Sequence, residues 1–491
     1  MRLPVLLLLV AALLLSACAD PPTGSQEATA SLTSGAVMHQ ESPPLARTEE
    51  ARTTGGHLVM LRAQRIPPRF ERTVVEAGGE VERIFDAIGV AVVSGLGPEG
   101  AETLAADPSV AVVTPEMVGR LPRSLSAGSV RTVSSGAVAF TGKATHQPQD
   151  AFYFGMQWNL RAIHADRAWA AGRVGSPGVT VAILDTGIDW THPDLLGRVD
   201  LARSVSFVPA DDALVQELFP QAHPIADLSF HGTHVAATVS SNAQGFAGVT
   251  SLTTLIGVKV CDMHGDCPLG SVLAGILYAA DAGTDIINLS LGGYFQKGAN
   301  PGLVSVFQRA MSYANREGAV VIAAAGNEGI DLDRSRQPGV GTFPSLFAFS
   351  CDSATVVCVS ATGPRSFDEL TGWDGVDTPA FYSNFGRSAI DVAAPGGSLA
   401  GFVWAACSRF SQDERFLGCG SEPSWIGLAG TSMASPHTAG VAALIVSEMG
   451  AQRPGLVRQR LHQSADDLAQ PGTDPWFGKG RVNAARAVGL D

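Results

Sequence analysis

The chain has little that would suit it to nucleic acid. Lys and Arg number 33 against 46 Asp and Glu, a formal net charge of −13, whereas a phosphate backbone is bound by an excess of positive charge. Zinc-ligand spacing is missing from its cysteines and histidines. No internal repeat is evident. The Leu-rich run at residues 3–15 would span about 20 Å as a helix, short of a ~30 Å bilayer core. Preceded by one positive charge, it reads as an export signal rather than a membrane anchor. What is present is a globular composition, 45% hydrophobic and 16% charged over 491 residues, long enough for two domains plus tails.

Within it, Gly430-Thr431-Ser432-Met433-Ala434-Ser435-Pro436-His437 sets a serine between a Gly-Thr turn and an apolar segment, residues 433–449, that predicts a buried helix. A backbone N–H at such a helix start stabilises an anion. Serine is a poor nucleophile until a base takes its proton. Residues 179–184 are apolar and β-branched, a strand buried on both faces, and end in Asp185-Thr186-Gly187. His231-Gly232-Thr233-His234 opens another apolar segment, with His231 at a helix start and His234 read as structural. Residues 319–325 form a second buried strand running into Gly326-Asn327-Glu328-Gly329. Alone, each residue is a cap, a turn or a structural histidine. Together they supply a nucleophile, a base, an orienting acid and a carboxamide donor at the strand ends, where ligands of open α/β sheets gather.

The blocks ILDTGID, HGTHVA, AAAGNEG and GTSMASPH resemble those of the subtilisin-like serine proteases, the subtilases, in the order Asp, His, Ser. The resemblance spans residues 152–491. It implies an α/β fold with a mostly parallel sheet flanked by helices. It also implies Asp185 as the orienting acid, His231 as general base and acid, and Ser432 as nucleophile. Asn327 and the Ser432 N–H would be the oxyanion donors. Ser290, Leu291 and Gly292 would form one wall of the substrate pocket and pair with the substrate backbone. Ala324, Ala325 and Gly326 would form the opposite wall, with Thr342 near its floor. Gly292, Gly293 and the alanines suggest room for a large apolar side chain, and Glu328 at the rim would favour a basic one.

The chemistry needs no cofactor. Gln157 and Asp194 resemble two ligands of a subtilisin calcium site, but the loop supplying the others is cut, which argues against calcium there. A structural calcium elsewhere, at Asp211-Asp212 or Asp331-Leu332-Asp333, competes with plain solvated surface acids. Two other functions compete with proteolysis. A lipase or esterase would carry G-x-S-x-G and the order Ser, Asp, His. A catalytically inactive subtilase serving as a scaffold is opposed by the intact constellation.

The first third predicts how such an enzyme is kept quiet. Residues 1–18 are the export signal, and two cleavage patterns compete. Leu15-Ser16-Ala17-Cys18 is a lipobox that would leave a lipidated Cys18, while Ala17-Cys18-Ala19 fits ordinary cleavage. The polar stretch at residues 19–55 suits a lipoprotein tether. Residues 56–119 predict a small α+β domain: strand 57–61, helix 69–77, strands 81–85 and 87–93, helix 98–106 and strand 110–115. That ferredoxin-like order resembles the subtilase propeptide, an intramolecular inhibitor. Residues 120–151, rich in Ser, Gly and Thr, read as a cleavable linker before the peptidase domain at 152–491. Six of the seven cysteines lie in close pairs, Cys261 with Cys267, Cys351 with Cys358 and Cys407 with Cys419; in an exported chain disulfides outweigh free thiols. The expectation is therefore an exported bacterial proenzyme, monomeric. It would be held in the cell envelope by a lipid or set free by processing, and would act on proteins or peptides.

Overall fold

The computed structural model describes residues 52–122, 124–132, 143–412, 419–420, 422–450 and 453–490. The expected export signal, Cys18 and residues 19–51 of the expected tether lie outside them, whereas residues 53–55, also expected in the tether, begin the first strand because they pair with the end of the small module's last strand. Among the described residues no helix is long and apolar enough to cross a membrane.

The small N-terminal module runs β1 (Thr53–Leu61), α1 (Phe70–Glu76), β2 (Glu80–Phe85), β3 (Val90–Ser94), α2 (Pro98–Ala105) and β4 (Val110–Arg120). Its antiparallel sheet has the order β2-β3-β1-β4. Residues 87 and 88, expected in β3, belong instead to a single helical turn, Asp86–Ile88, ended by Gly89 at φ +60°. Period-two alternation sends each strand's residues to two faces. Val59, Leu61, Ala91 and Val93 pack with Phe70, Val74 and Leu104 of the module's own helices. Leu58, Met60, Val90 and Val92 join a second core with helices of the larger domain. A sheet apolar on both faces needs cover on both, and this one has it.

The larger domain is built on a parallel sheet. Its strands are β6 (Thr180–Asp185), β7 (Thr254–Lys259), β9 (Ile286–Leu289), β10 (Val320–Ala324), β11 (Val356–Gly363) and β12 (Val392–Pro395). A short strand, β8 (Asp266–Pro268), lies outside it and pairs with β4. The spatial order is β7-β6-β9-β10-β11, with β12 on β11, all parallel. Near-continuous Val, Ile and Leu runs suit strands covered on both faces. Val181 and Ile183 face α3 (His231–Val239) and α6 (Thr431–Met449). Ala182 and Leu184 face α4 (Leu269–Asp281) and α5 (Pro301–Arg316). Truncating one such buried residue, as in Ile183→Ala, typically costs about 2–5 kcal/mol. The chain leaves β6 toward β7 on one side and β9 on the other, so β6 and β9 flank the switch point, where α/β sheets bind ligands.

Beyond these lie β13 (Val403–Cys407) and β14 (Ser424–Ala429), an antiparallel pair. Residues 125–132, expected within a linker, form a strand, β5 (Leu125–Thr132), that adds to the free side of β14.

Candidate active site

Asp185 is the last residue of β6 and fully buried. The turn after it needs glycine: Gly187 sits at φ +120°, and a Cβ there would come 2.4 Å from the Ile225 carbonyl. Asp185 Oδ1 accepts the Thr186 N–H at 2.8 Å and lies 2.8 Å from His231 Nδ1. A carboxylate acceptor fixes the proton on Nδ1 and leaves Nε2 as the basic nitrogen. Nε2 is buried and, among the described residues, has no hydrogen-bond partner.

A second carboxylate, which the sequence reading did not single out, ties these two loops together. Asp227 is fully buried. It accepts Thr186 Oγ1 at 2.8 Å on Oδ1, and Thr233 N at 2.9 Å and Thr233 Oγ1 at 2.6 Å on Oδ2. Thr186 Oγ1 in turn accepts the Gly232 N–H at 3.0 Å. Burial pushes the Asp227 carboxyl up to about 6. Its sequence signal, one acid four residues before His231, is no different from a surface acid.

Ser432 sits in the first turn of α6. Pro436 lies inside that helix, and with no N–H it cannot donate to the carbonyl four residues back, that of Ser432. Ser290 Oγ donates to that carbonyl instead, at 2.9 Å. Ser432 Oγ donates to the Ser290 carbonyl at 3.2 Å. It must therefore turn from Ser290 to reach His231 Nε2. Asn327 follows β10, and its Oδ1 accepts Thr431 N at 2.9 Å and Thr431 Oγ1 at 2.8 Å. That fixes the amide so that Nδ2 approaches Gly430, 2.9 Å from where a Cβ would stand. The other histidines nearby are structural. His234 Nε2 contacts the Val403 carbonyl at 3.1 Å, and His437 bridges Asn159 and the Met433 carbonyl. Burial pushes them down to about 3 and about 4, so both are neutral.

The expected pocket walls come together around these groups. Ser290 and Leu291 are fully buried after β9, and Ala324 and Ala325 nearly so. The pocket details differ from expectation. Thr342 is exposed, paired with Arg336 in a two-residue hairpin. Glu328 turns inward rather than standing at the rim. Its Oε2 accepts Asn384 Nδ2 at 2.8 Å, and burial raises its carboxyl above the usual range. Tyr294 Oη, Asn384 Nδ2 and Glu328 Oε2 converge on Gly326, all within 2.7 Å of where its Cβ would be. A side chain at Gly326 would displace this polar cluster.

The cleft is filled by the chain itself. Arg120 exchanges backbone hydrogen bonds with Gly292, at 2.8 and 3.0 Å. On its other side β4 pairs with β8, Gly119 opposite Cys267 and Arg120 opposite Asp266. Ser124 Oγ lies 2.8 Å from the Cβ position of Gly430, and Leu125 stands opposite Ala429. Ser432 is 0% and His231 3% exposed.

At Gln157 and Asp194, where the cut loop already argued against calcium, the donor set does not fit a cation. Asp194 Oδ1 accepts Gln244 N at 2.7 Å and Gly245 N at 3.0 Å; Oδ2 accepts Phe246 N at 3.2 Å and Trp425 Nε1 at 2.6 Å. Gln157 exchanges both its amide groups with Ala247. Four N–H donors neutralise the carboxylate, as an ion would. Elsewhere Asp211 pairs with Lys259, Asp331 with Arg334, and Asp333 accepts from Ser388. The three expected disulfides, Cys261–Cys267, Cys351–Cys358 and Cys407–Cys419, are formed. The first holds the turn into β8, and the third ties the end of β13 to the segment leading into β14.

A model described as the subtilase family matches residues 176–480. The chain is 33% identical over 349 residues to the thermophilic serine proteinase of Bacillus sp. strain AK1, covering 70% of each. It is 33% identical over 346 residues to thermitase of Thermoactinomyces vulgaris, covering 70% of this chain and 99% of thermitase. Among solved structures, the epidermin leader peptide processing serine protease of Staphylococcus aureus is similar with TM-score 0.65 and 21% identity, over 88% of this chain and 97% of that one. Fervidolysin of Fervidobacterium pennivorans is similar with TM-score 0.64 and 21% identity, over 90% of this chain and 62% of that one. These structural likenesses bear on fold alone; with the family match and the curated relatives, they place the chain in the subtilase family, as a subtilisin-like serine endopeptidase.

Proposed function

We propose that Ser432, His231 and Asp185 hydrolyse peptide bonds through an acyl-enzyme. The observation that carries this is the 2.8 Å contact of His231 Nδ1 with Asp185, which leaves Nε2 as the basic nitrogen, buried and without a partner among the described residues. Ser432 Oγ, turned toward Nε2, loses its proton there and attacks the carbonyl carbon. The oxyanion takes hydrogen bonds from Asn327 Nδ2 and the Ser432 N–H. His231 then returns the proton to the leaving amine as the C–N bond breaks, and water releases the acyl group by the same route. Asp185 stays charged and stabilises the imidazolium. A fluorophosphonate probe should label the processed wild-type enzyme and spare Ser432→Ala; equal labelling of both rejects the assignment.

The N-terminal module serves as the enzyme's own inhibitor, and the bond cut in maturation lies between Leu121 and Leu125. The support is its docking. Its sheet shares a core with α4 and α5, Glu116 accepts the Gly270 N–H at the start of α4, and Arg309 donates to the Leu61 and Ile88 carbonyls. Its last strand then enters the cleft as a substrate would. Export follows from the signal at residues 1–18, with a lipid on Cys18 holding the precursor at the envelope. Because that lipid would sit on the module's side of the cut, self-cleavage would free the enzyme, a monomer acting on proteins and peptides.

A further inference from the structure

Strand β14 has two long edges. One pairs with β13 and the other with β5. Leu125 stands opposite Ala429, Ser126 opposite Leu428, Val130 opposite Ile426, Arg131 opposite Trp425 and Thr132 opposite Ser424, with one register shift between Ile426 and Leu428. β14 ends at Ala429, two residues before the helix carrying Ser432. The edge taken by β5 therefore begins at the nucleophile and runs away from it. Residues 118–120 pair on the opposite side of Ser432, with β8 and Gly292. The chain is thus extended on both sides of the catalytic serine, with an antiparallel partner on each.

We infer that the outer edge of β14 is a substrate-binding strand. It holds the polypeptide C-terminal to the scissile bond over as many as eight residues, the length of β5. The inference rests on the protease reading above and names its substrate class: long, extended polypeptide rather than short peptide. Once β5 leaves, β14 has a row of unpaired backbone groups, the feature that recruits an incoming strand. Main-chain pairing is indifferent to side chains, so recognition here is by extension and length. The Cys407–Cys419 disulfide anchors the approach to β14 and keeps the edge in place when the occupant is gone.

The test uses enzyme matured from the full chain and three quenched fluorogenic peptides of the residue 118–132 sequence. One stops two residues after the scissile bond, one continues to residue 132, and one is full length with proline at the paired positions 126, 130 and 131. Proline removes the donors that pair with β14. A few net main-chain hydrogen bonds, less the ordering of the peptide, predict kcat/KM about tenfold higher for the long peptide than the short one. The proline peptide should fall back to the short one's value. Equal values for all three, with casein cleaved normally, overturn the inference and leave the protease reading intact. Failure to cleave either the peptides or casein overturns both.

Discussion

Ser290 Oγ donates to the carbonyl of Ser432 at 2.9 Å, occupying the acceptor that Pro436 leaves unpaired four residues on. A break in helix bonding at Ser432 is thereby filled from the loop that follows β9. Asn288 Nδ2 holds Ser290 Oγ at 3.0 Å, and Asn288 Oδ1 accepts from Ser435 at 2.7 Å. Ser290→Ala should leave a buried carbonyl unsatisfied beside the catalytic serine. A loss of about 1–1.5 kcal/mol, the net worth of one such bond, predicts kcat about five- to tenfold lower with KM little changed. Steady-state kinetics on a short peptide checks this; a change confined to KM contradicts it.

Asn327→Ala removes the carboxamide donor to the oxyanion. The cost typical of one such donor in serine proteases, roughly 3–4 kcal/mol, predicts kcat about 10²–10³-fold lower. Because Oδ1 also holds Thr431, a fall in melting temperature should accompany it.

Asp227 fastens the loop of Asp185 to the helix of His231 through Thr186 and Thr233. Asp227→Asn keeps the shape but turns an amide N–H₂ toward groups that are themselves donors. The expected result is a tenfold or greater loss, by about 1.4 kcal/mol or more, carried by kcat. Wild-type kcat in Asp227→Asn would show that the clamp is dispensable.

His234 and His437 make the fold acid-labile. Their folded values, about 3 and about 4, lie below the ordinary 6.5. As pH falls below 6.5 the unfolded chain binds protons that the folded protein refuses, so stability declines; by pH 4 the loss is roughly 3 kcal/mol per histidine. Asp227 works in reverse. Raised from 3.8 to about 6, it contributes stability present below 3.8 and lost as pH rises through 6, about 3 kcal/mol. Two histidines outweigh one aspartate, so the net slope between pH 4 and 6 is stability rising with pH. Denaturant midpoints for Ser432→Ala across this range measure it, and His437→Gln should flatten the slope.

Asp194, held by three backbone N–H groups and the Trp425 indole, should need no ion. EDTA is expected to leave the melting temperature of the processed enzyme unchanged. Trp425→Phe should lose about 1.5–3 kcal/mol, the worth of a hydrogen bond to a charged group. A large drop with EDTA alone would contradict this.

The parallel sheet, and the placing of Asp185, His231, Asn327 and Ser432 at its loops, were legible because each depends on local pattern: buried β-branched runs ended by Asp-Thr-Gly or Gly-Asn, and helices opened by His231 or Gly-Thr-Ser. Asp227 was not, since what distinguishes it is full burial and a hydrogen bond from Thr186, 41 positions away. Glu328 was misplaced because its position in sequence does not disclose that Asn384, 56 residues on, draws it inward. β5 read as linker because its Ser- and Gly-rich sequence has weak strand propensity. Its pairing is supplied by β14, nearly three hundred residues later.

The central claim is that the chain lies across its own catalytic serine as a substrate. N-terminal sequencing of the protein matured from the full chain tests it most directly, with Ser432→Ala alongside. The account predicts a new N-terminus between residues 122 and 125 in the wild type and none there in Ser432→Ala. A first cut elsewhere, or the same cut in Ser432→Ala with no other protease present, would contradict it.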